Sequence, residues 1–265
     1  MLAACLLLPV AVPALELNGE MVQGGLIRGQ IEAGSQVYLD GEPVRVADSG
    51  HFLLGFDRDA EPSAVLKLEY PDGNTEARQL SIRQRDYNIQ HIDGLPDRKV
   101  SPTAEDLERI RRENELLETA RQKARQTGEL YIGEDFIWPL SGRISGVYGS
   151  QRILNGEPRR PHYGLDIAAD KGTPVRAPAT GVVAFTHPGM YFNGATVVLD
   201  HGHGLTSTYI HLSRIEVEQG EWVDQGQSLG RVGASGRATG PHLHWGMQWF
   251  DRHIDPRLLV GRMPE

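Results

Sequence analysis

The chain has 265 residues, 39% of them hydrophobic, and carries a net charge of −8 at pH 7. That length admits roughly two domains. No apolar run is long enough to span a bilayer, and the absence of a basic run or face makes nucleic acid a poor candidate partner.

Residues 1–14 form an apolar stretch that ends in small residues, as the core and cleavage region of a secretory signal peptide do. It has no positive start, which places the expected start codon further upstream. Cys5 is the single cysteine and falls inside this stretch. Leu2-Ala3-Ala4-Cys5 also reads as a lipoprotein site, so a lipid-anchored form through Cys5 is the second reading beside plain cleavage. After cleavage no cysteine remains, which rules out disulfides and thiolate ligands. The expected location is outside the inner membrane, in the periplasm.

Residues 15–95 read as short strands between turn signals. Gln36–Leu39 precedes Asp40-Gly41, His51–Leu54 follows Asp48-Ser49-Gly50, and Val65–Tyr70 precedes Pro71-Asp72-Gly73-Asn74. The expectation is a small, immunoglobulin-like β-sandwich. His51 and His91 are read as surface or packing residues.

Residues 96–128 are expected to hold a linker, Pro96 to Pro102, and a long amphipathic helix. Thr103 and Asp106 form a capping box. Leu107, Ile110, Leu117 and Ala124 make a narrow apolar stripe, and Gly128 supplies the stop. Such a helix would be about 35 Å long, packed as a strut between domains, with a partner-binding coiled-coil segment as the second reading.

Residues 129–265 are β in character throughout, with strand-like runs at Thr180–Phe185, Ala195–Asp200 and Leu205–Leu212. Two strings stand out: Arg160-Pro161-His162-Tyr163-Gly164-Leu165-Asp166 and Gly240-Pro241-His242-Leu243-His244. Strand residues two or four apart share a face. His162 with Asp166, and His242 with His244, are therefore expected to project together from two adjacent strands. Imidazoles and a carboxylate suit zinc with one position left for water. Spacing alone leaves open which of His242 and His244 binds the metal. His201 and His203 fall in a glycine-flanked hairpin and are read as solvent-facing; His187 and His253 are given no role. Ser235–Gly240 is read as a turn. Tyr163, Tyr191 and Tyr209 are candidates to flank a groove, with core packing the competing reading.

Residues 142–256 resemble the lysostaphin-type or LytM-type zinc endopeptidases, also called the β-lytic metallopeptidases. The resemblance rests on the two strings above, on Gly172-Thr173-Pro174-Val175, Asp200-His201-Gly202 and Tyr209-Ile210-His211-Leu212-Ser213, and on Gly236–His244. It implies a C-terminal antiparallel β metallopeptidase domain with His162, Asp166 and His244 as zinc ligands. His211 and His242 would be catalytic, and the substrate would be peptide cross-links of bacterial peptidoglycan. Trp245-Gly246 departs from the Phe-Glu pair of many relatives. Some modules of this kind have lost ligands and serve as non-catalytic activators or scaffolds of cell-wall amidases; here no ligand is missing. The N-terminal region is a candidate to bind wall or to cover the groove.

Overall fold

The structure, a computed structural model, describes residues 15–92, 103–128, 135–154 and 156–264. The signal-like stretch, Cys5 and the Pro96–Pro102 linker lie outside these residues.

The N-terminal strands follow from alternation of apolar and polar side chains. They are β1 (Glu16–Asn18), β2 (Leu26–Gln30), β3 (Gln36–Leu39), β4 (Glu42–Val44), β5 (His51–Gly55), β6 (Ser63–Glu69), β7 (Thr75–Ser81) and β8 (Ile89–Ile92). In β6, Ala64, Leu66 and Leu68 are buried while Ser63, Val65 and Lys67 face water. Two antiparallel sheets result, ordered β1-β2-β5 and β4-β3-β6-β7. Ile27, Phe52 and Leu54 from one meet Val37, Leu66 and Leu68 from the other in a shared core.

One helix follows, α1 (Ala104–Ala124), with the expected capping box between Thr103 and Asp106. It ends at Ala124 rather than Gly128, about 31 Å from its start at standard rise. Past Arg125 the chain tightens into Gln126 N–H→Lys123 O and Thr127 N–H→Ala124 O bonds, and the Thr127 hydroxyl then donates to Asp200 Oδ2 at 2.6 Å. That anchor draws the chain off the helical path before the glycine. The buried residues of α1 are Glu113, Leu117, Ala120 and Ala124, whereas Leu107 is exposed.

The C-terminal strands are β9 (Arg143–Gly146), β10 (Gln151–Leu154), β11 (Glu157–Pro158), β12 (Leu165–Ala168), β13 (Pro174–Arg176), β14 (Gly181–Met190) and β15 (Gly194–Asp200). There follow β16 (Leu205–Leu212), β17 (Arg214–Ile215), β18 (Trp222–Val223), β19 (Ser228–Arg231), β20 (His242–Trp249) and β21 (Arg252–Ile254). Most form one antiparallel sheet in the order β18-β14-β15-β16-β20-β12-β9, with β21 on β20. Strands β15 and β16 are buried along their whole length. One face lies on the apolar core. The other is roofed by α1, whose Leu117 and Ala120 pack on Phe185, Met190 and Val198. Cover on both faces explains why these strands read as continuous rather than alternating runs.

The N-terminal sheets dock onto this part through a common core, a 2.8 Å ion pair between Arg85 and the buried Asp255, and parallel pairing of β8 with β10.

Two sequence expectations are corrected here. His201 and His203 are buried, not solvent-facing. The His201 Nδ1–H donates to Thr180 O at 2.8 Å, and Nε2 accepts from the Ser207 hydroxyl at 2.7 Å. His203 bonds Gly128 O at 3.0 Å. The hairpin folds inward because these rings satisfy backbone carbonyls of neighbouring segments. Tyr209 flanks no groove: it is fully buried, with its hydroxyl 2.7 Å from Ser207 Oγ.

Candidate active site

Antiparallel pairing of β12 with β20 sets Asp166 directly across from His244 and Ala168 across from His242. The three site residues of these strands therefore share a sheet face. His162 reaches the same place by another route. It precedes β12 rather than belonging to it, and is held by His162 N–H→Ser150 O and Gly149 N–H→His162 O, both 2.8 Å.

Three donor atoms converge. His162 Nε2 is 3.0 Å from Asp166 Oδ1 and 2.9 Å from His244 Nδ1, and His244 Nδ1 is 2.8 Å from Asp166 Oδ1. The His162 Nδ1 faces Val147 O at 3.0 Å. A carbonyl only accepts, so Nδ1 carries the proton and Nε2 turns a lone pair inward. Three lone-pair-bearing atoms gathered at one point are poorly held by shared protons; a divalent cation satisfies them together. Two imidazoles and a carboxylate are the donor types zinc takes. The residues present fit such an ion.

Glycines make room for this convergence. A Cβ on Gly146 would lie 2.3 Å from Asp166 Oδ2, and one on Gly164 would lie 2.6 Å from the His244 ring. Burial opposes ionisation of Asp166, but the adjacent His162 and His244 rings outweigh it and hold the carboxyl well below the ordinary carboxylate range. Burial likewise works against protonation of His162, and the adjacent Asp166 carboxylate outweighs that and raises its pKa. In His244 burial prevails and lowers it.

His211 and His242 stand beside this group, their ring centroids 4.8 Å apart. The His211 ring centroid is 6.5 Å from that of His244. His211 has φ of 64°, a left-handed conformation that a non-glycine residue adopts at a cost. Its backbone N–H donates to Asn193 O at 2.8 Å, and its Nδ1–H donates to Ser235 O at 2.8 Å. The His242 Nδ1–H donates to Gly240 O at 2.9 Å. Both rings thus keep Nε2 as the acceptor nitrogen. Burial, with the charges of His242 and His244 acting in the same direction, pushes the His211 pKa down to about 4.

Spacing did not reveal the carbonyls of Val147, Ser235 and Gly240, which orient three of these rings. Ser235–Gly240 does more than turn the chain, since the Ser235 hydroxyl also ties Ala195 N to Leu212 O at 2.9 and 2.7 Å. No residue-type signal marks a backbone acceptor. His253, given no role from sequence, stacks on Tyr163 with centroids 3.9 Å apart.

Comparison with known proteins agrees with this architecture. The model of peptidase family M23 matches residues 160–256. Peptidoglycan DD-endopeptidase ShyA of Vibrio cholerae is 43% identical over 106 residues, 39% of this chain and 24% of its own length. DD-carboxypeptidase/endopeptidase Mpg of Neisseria meningitidis is 39% identical over 124 residues, 46% of this chain and 28% of its own. The matched segment spans about a quarter of the length of these curated relatives. The crystal structure of a peptidase M23 from Pseudomonas aeruginosa aligns with a TM-score of 0.65 at 30% identity, covering 91% of this chain and 96% of that one. Similarity over nearly the full length of both chains, together with the family match across the convergent histidines, makes this chain a member of peptidase family M23.

Proposed function

We propose that the chain is a zinc-dependent endopeptidase that hydrolyses peptide cross-links of bacterial peptidoglycan. The observation that carries the reading is the convergence of His162, Asp166 and His244 on one point with His211 and His242 alongside. The name of the relative ShyA, a peptidoglycan DD-endopeptidase, supplies the substrate class. Zinc held by His162, Asp166 and His244 would supply Lewis acidity, bringing the pKa of coordinated water to about 7.

The chain's own residues do the rest. His211 and His242 each commit Nδ1–H to a carbonyl, so Nε2 is the atom that moves protons. With its pKa near 4, His211 is neutral at physiological pH and can accept a proton as bond formation begins. A protonated imidazole of the pair can then donate to the developing oxyanion or to the departing amine.

The alternative is a non-catalytic activator or scaffold of cell-wall amidases. Such a role needs no metal ligands, and the intact ligand group supports the enzyme. Action in the periplasm is part of the same proposal. Among the described residues no helix is long and apolar enough to cross a membrane. The deciding experiment digests purified sacculi and identifies the products by mass, with and without a chelator. Release of cross-link-cleaved muropeptides, lost on chelation and restored by zinc, is the expected result. A zinc-free protein that cleaves nothing yet stimulates an amidase would establish the alternative.

A further inference from the structure

The sheet face that carries His244 continues past it toward two guanidinium groups. Gly246 follows the ligand on the same face, and a Cβ placed there would lie 3.6 Å from His244 Nε2 and 3.1 Å from Tyr163 O. Thr208 is its partner across the sheet. The Thr208 hydroxyl accepts from Arg121 Nη2 of α1 at 3.3 Å. From the segment that leads to His162, Arg160 lies over the Tyr163 ring at 5.2 Å and approaches His253 Nε2 at 3.3 Å.

Two guanidinium groups therefore share this neighbourhood, and neither Arg121 nor Arg160 has a carboxylate partner among the described residues. Glu118, whose charge acts on Arg121, is bonded to Arg125, at 3.2 Å. The Nε of Arg121 is buried with no hydrogen-bond partner. Burial pushes the Arg121 pKa down to about 10, and the charge of Arg160 acts in the same direction although Glu118 opposes both. The charges of Arg160 and Arg121 also add to the burial that holds His253 near 3. Keeping a buried cation unpaired and near a second cation is costly. A protein retains that arrangement where an anion completes it.

We infer that Arg121, with Arg160, forms a subsite for a substrate carboxylate lying next to the scissile amide, so that α1 contributes a substrate-binding residue. This rests on the peptidase reading above. The guanidinium fork matches a carboxylate with two parallel bonds. Gly246 lies two residues beyond His244 and pairs with Thr208, to which Arg121 is bonded, so the guanidinium lies along the same sheet face as the ligand group. Gly246 adds no side chain there: a Cβ would already lie 3.1 Å from Tyr163 O, and an acidic side chain would neutralise the guanidinium groups from within the protein.

The test uses two cross-linked dimer muropeptides that differ only in whether the carboxylate beside the cross-link amide is free or amidated. Steady-state cleavage by wild type, Arg121→Met and Arg121→Lys is compared, with the thermal midpoint as a folding control. Arg121→Met keeps the packing of the aliphatic stem. Wild type is expected to prefer the free acid by about tenfold or more in KM. Arg121→Met is expected to abolish that preference through KM rather than kcat, and Arg121→Lys to restore part of it. Calorimetric binding of the same two dimers to metal-free protein gives a readout independent of turnover. If wild type cleaves neither dimer but binds the acid more tightly in an Arg121-dependent way, the subsite stands and the peptidase reading falls. Equal binding of acid and amide by wild type, or an unchanged preference in Arg121→Met, overturns the subsite. A rise in turnover on both dimers in Arg121→Met also overturns it, because α1 would then act as a cover.

Discussion

The Nδ1–H of His211 donates to the carbonyl oxygen of Ser235 at 2.8 Å, tying the end of β16 to the loop that leads into β20. The bond assigns the tautomer: Nδ1 is occupied and Nε2 is the free base. It also helps to hold His211 in its left-handed backbone conformation, with φ of 64°. Strain of that kind persists where surrounding contacts over-determine it. Here they are Asn193 O on the backbone N–H and Ser235 O on the ring.

From this follows the first prediction. His211→Ala is expected to lower kcat by about a hundredfold to ten-thousandfold, the usual range for a lost general acid–base group. Metal content measured by atomic absorption should stay at the wild-type level, since His211 is not among the convergent donors. A variant that loses its metal, or that turns over at the wild-type rate, contradicts the assigned role.

The proposed zinc ligands predict the opposite pairing of effects. His162→Ala or His244→Ala is expected to weaken zinc binding by more than about a hundredfold, because losing an outer-shell partner alone costs tenfold to a hundredfold. Competitive titration with a chromophoric chelator measures this. Chelation of the wild type should also lower its melting temperature, because an ion bound only by the folded state stabilises it. Unchanged melting with and without chelator would count against these ligands.

His201 predicts a pH dependence of stability. Burial holds its pKa at about 4 in the folded protein against 6.5 ordinarily, so between those values the unfolded chain binds more protons. Stability therefore falls as pH drops through this window, by about 3 kcal/mol for this group in full. Urea unfolding from pH 7 to pH 4 should show the loss, and His201→Gln should flatten the slope. Parallel slopes for the two proteins would remove His201 as the cause.

Glu113 predicts how far α1 supports the site. Its buried carboxylate accepts from Tyr191 N–H at 2.6 Å and from Arg109 Nε at 2.7 Å. The Tyr191–Asn193 segment carries the carbonyl that receives the His211 N–H. Glu113→Ala should destabilise the protein by about 1–3 kcal/mol, the cost of leaving a buried donor unmet. Amide hydrogen exchange should quicken in residues 190–194. Unaltered exchange there would uncouple the helix from the site.

Much of this molecule can be read from local patterns. Turn dipeptides and two-residue alternation marked the N-terminal strands, because a half-buried strand must alternate. The Thr103–Asp106 box marked the start of α1, because capping is settled by residues three apart. His162, Asp166, His242 and His244 declared themselves by residue type, since few other roles draw imidazoles and a carboxylate so close together in sequence. Short-range chemistry of that kind leaves its trace in short-range sequence.

Tertiary structure decided the rest. His162 joins its fellow donors from outside the strand, positioned by Ser150 and Gly149 rather than by strand periodicity. His201 and His203 turn inward because their carbonyl partners, Thr180 and Gly128, lie distant in sequence. Helix α1 brings Arg121 to a sheet face 87 residues away at Thr208. Each of these depends on which segments pack together, and backbone carbonyls, which every residue type carries, leave no mark in a sequence by which their partners could be foreseen.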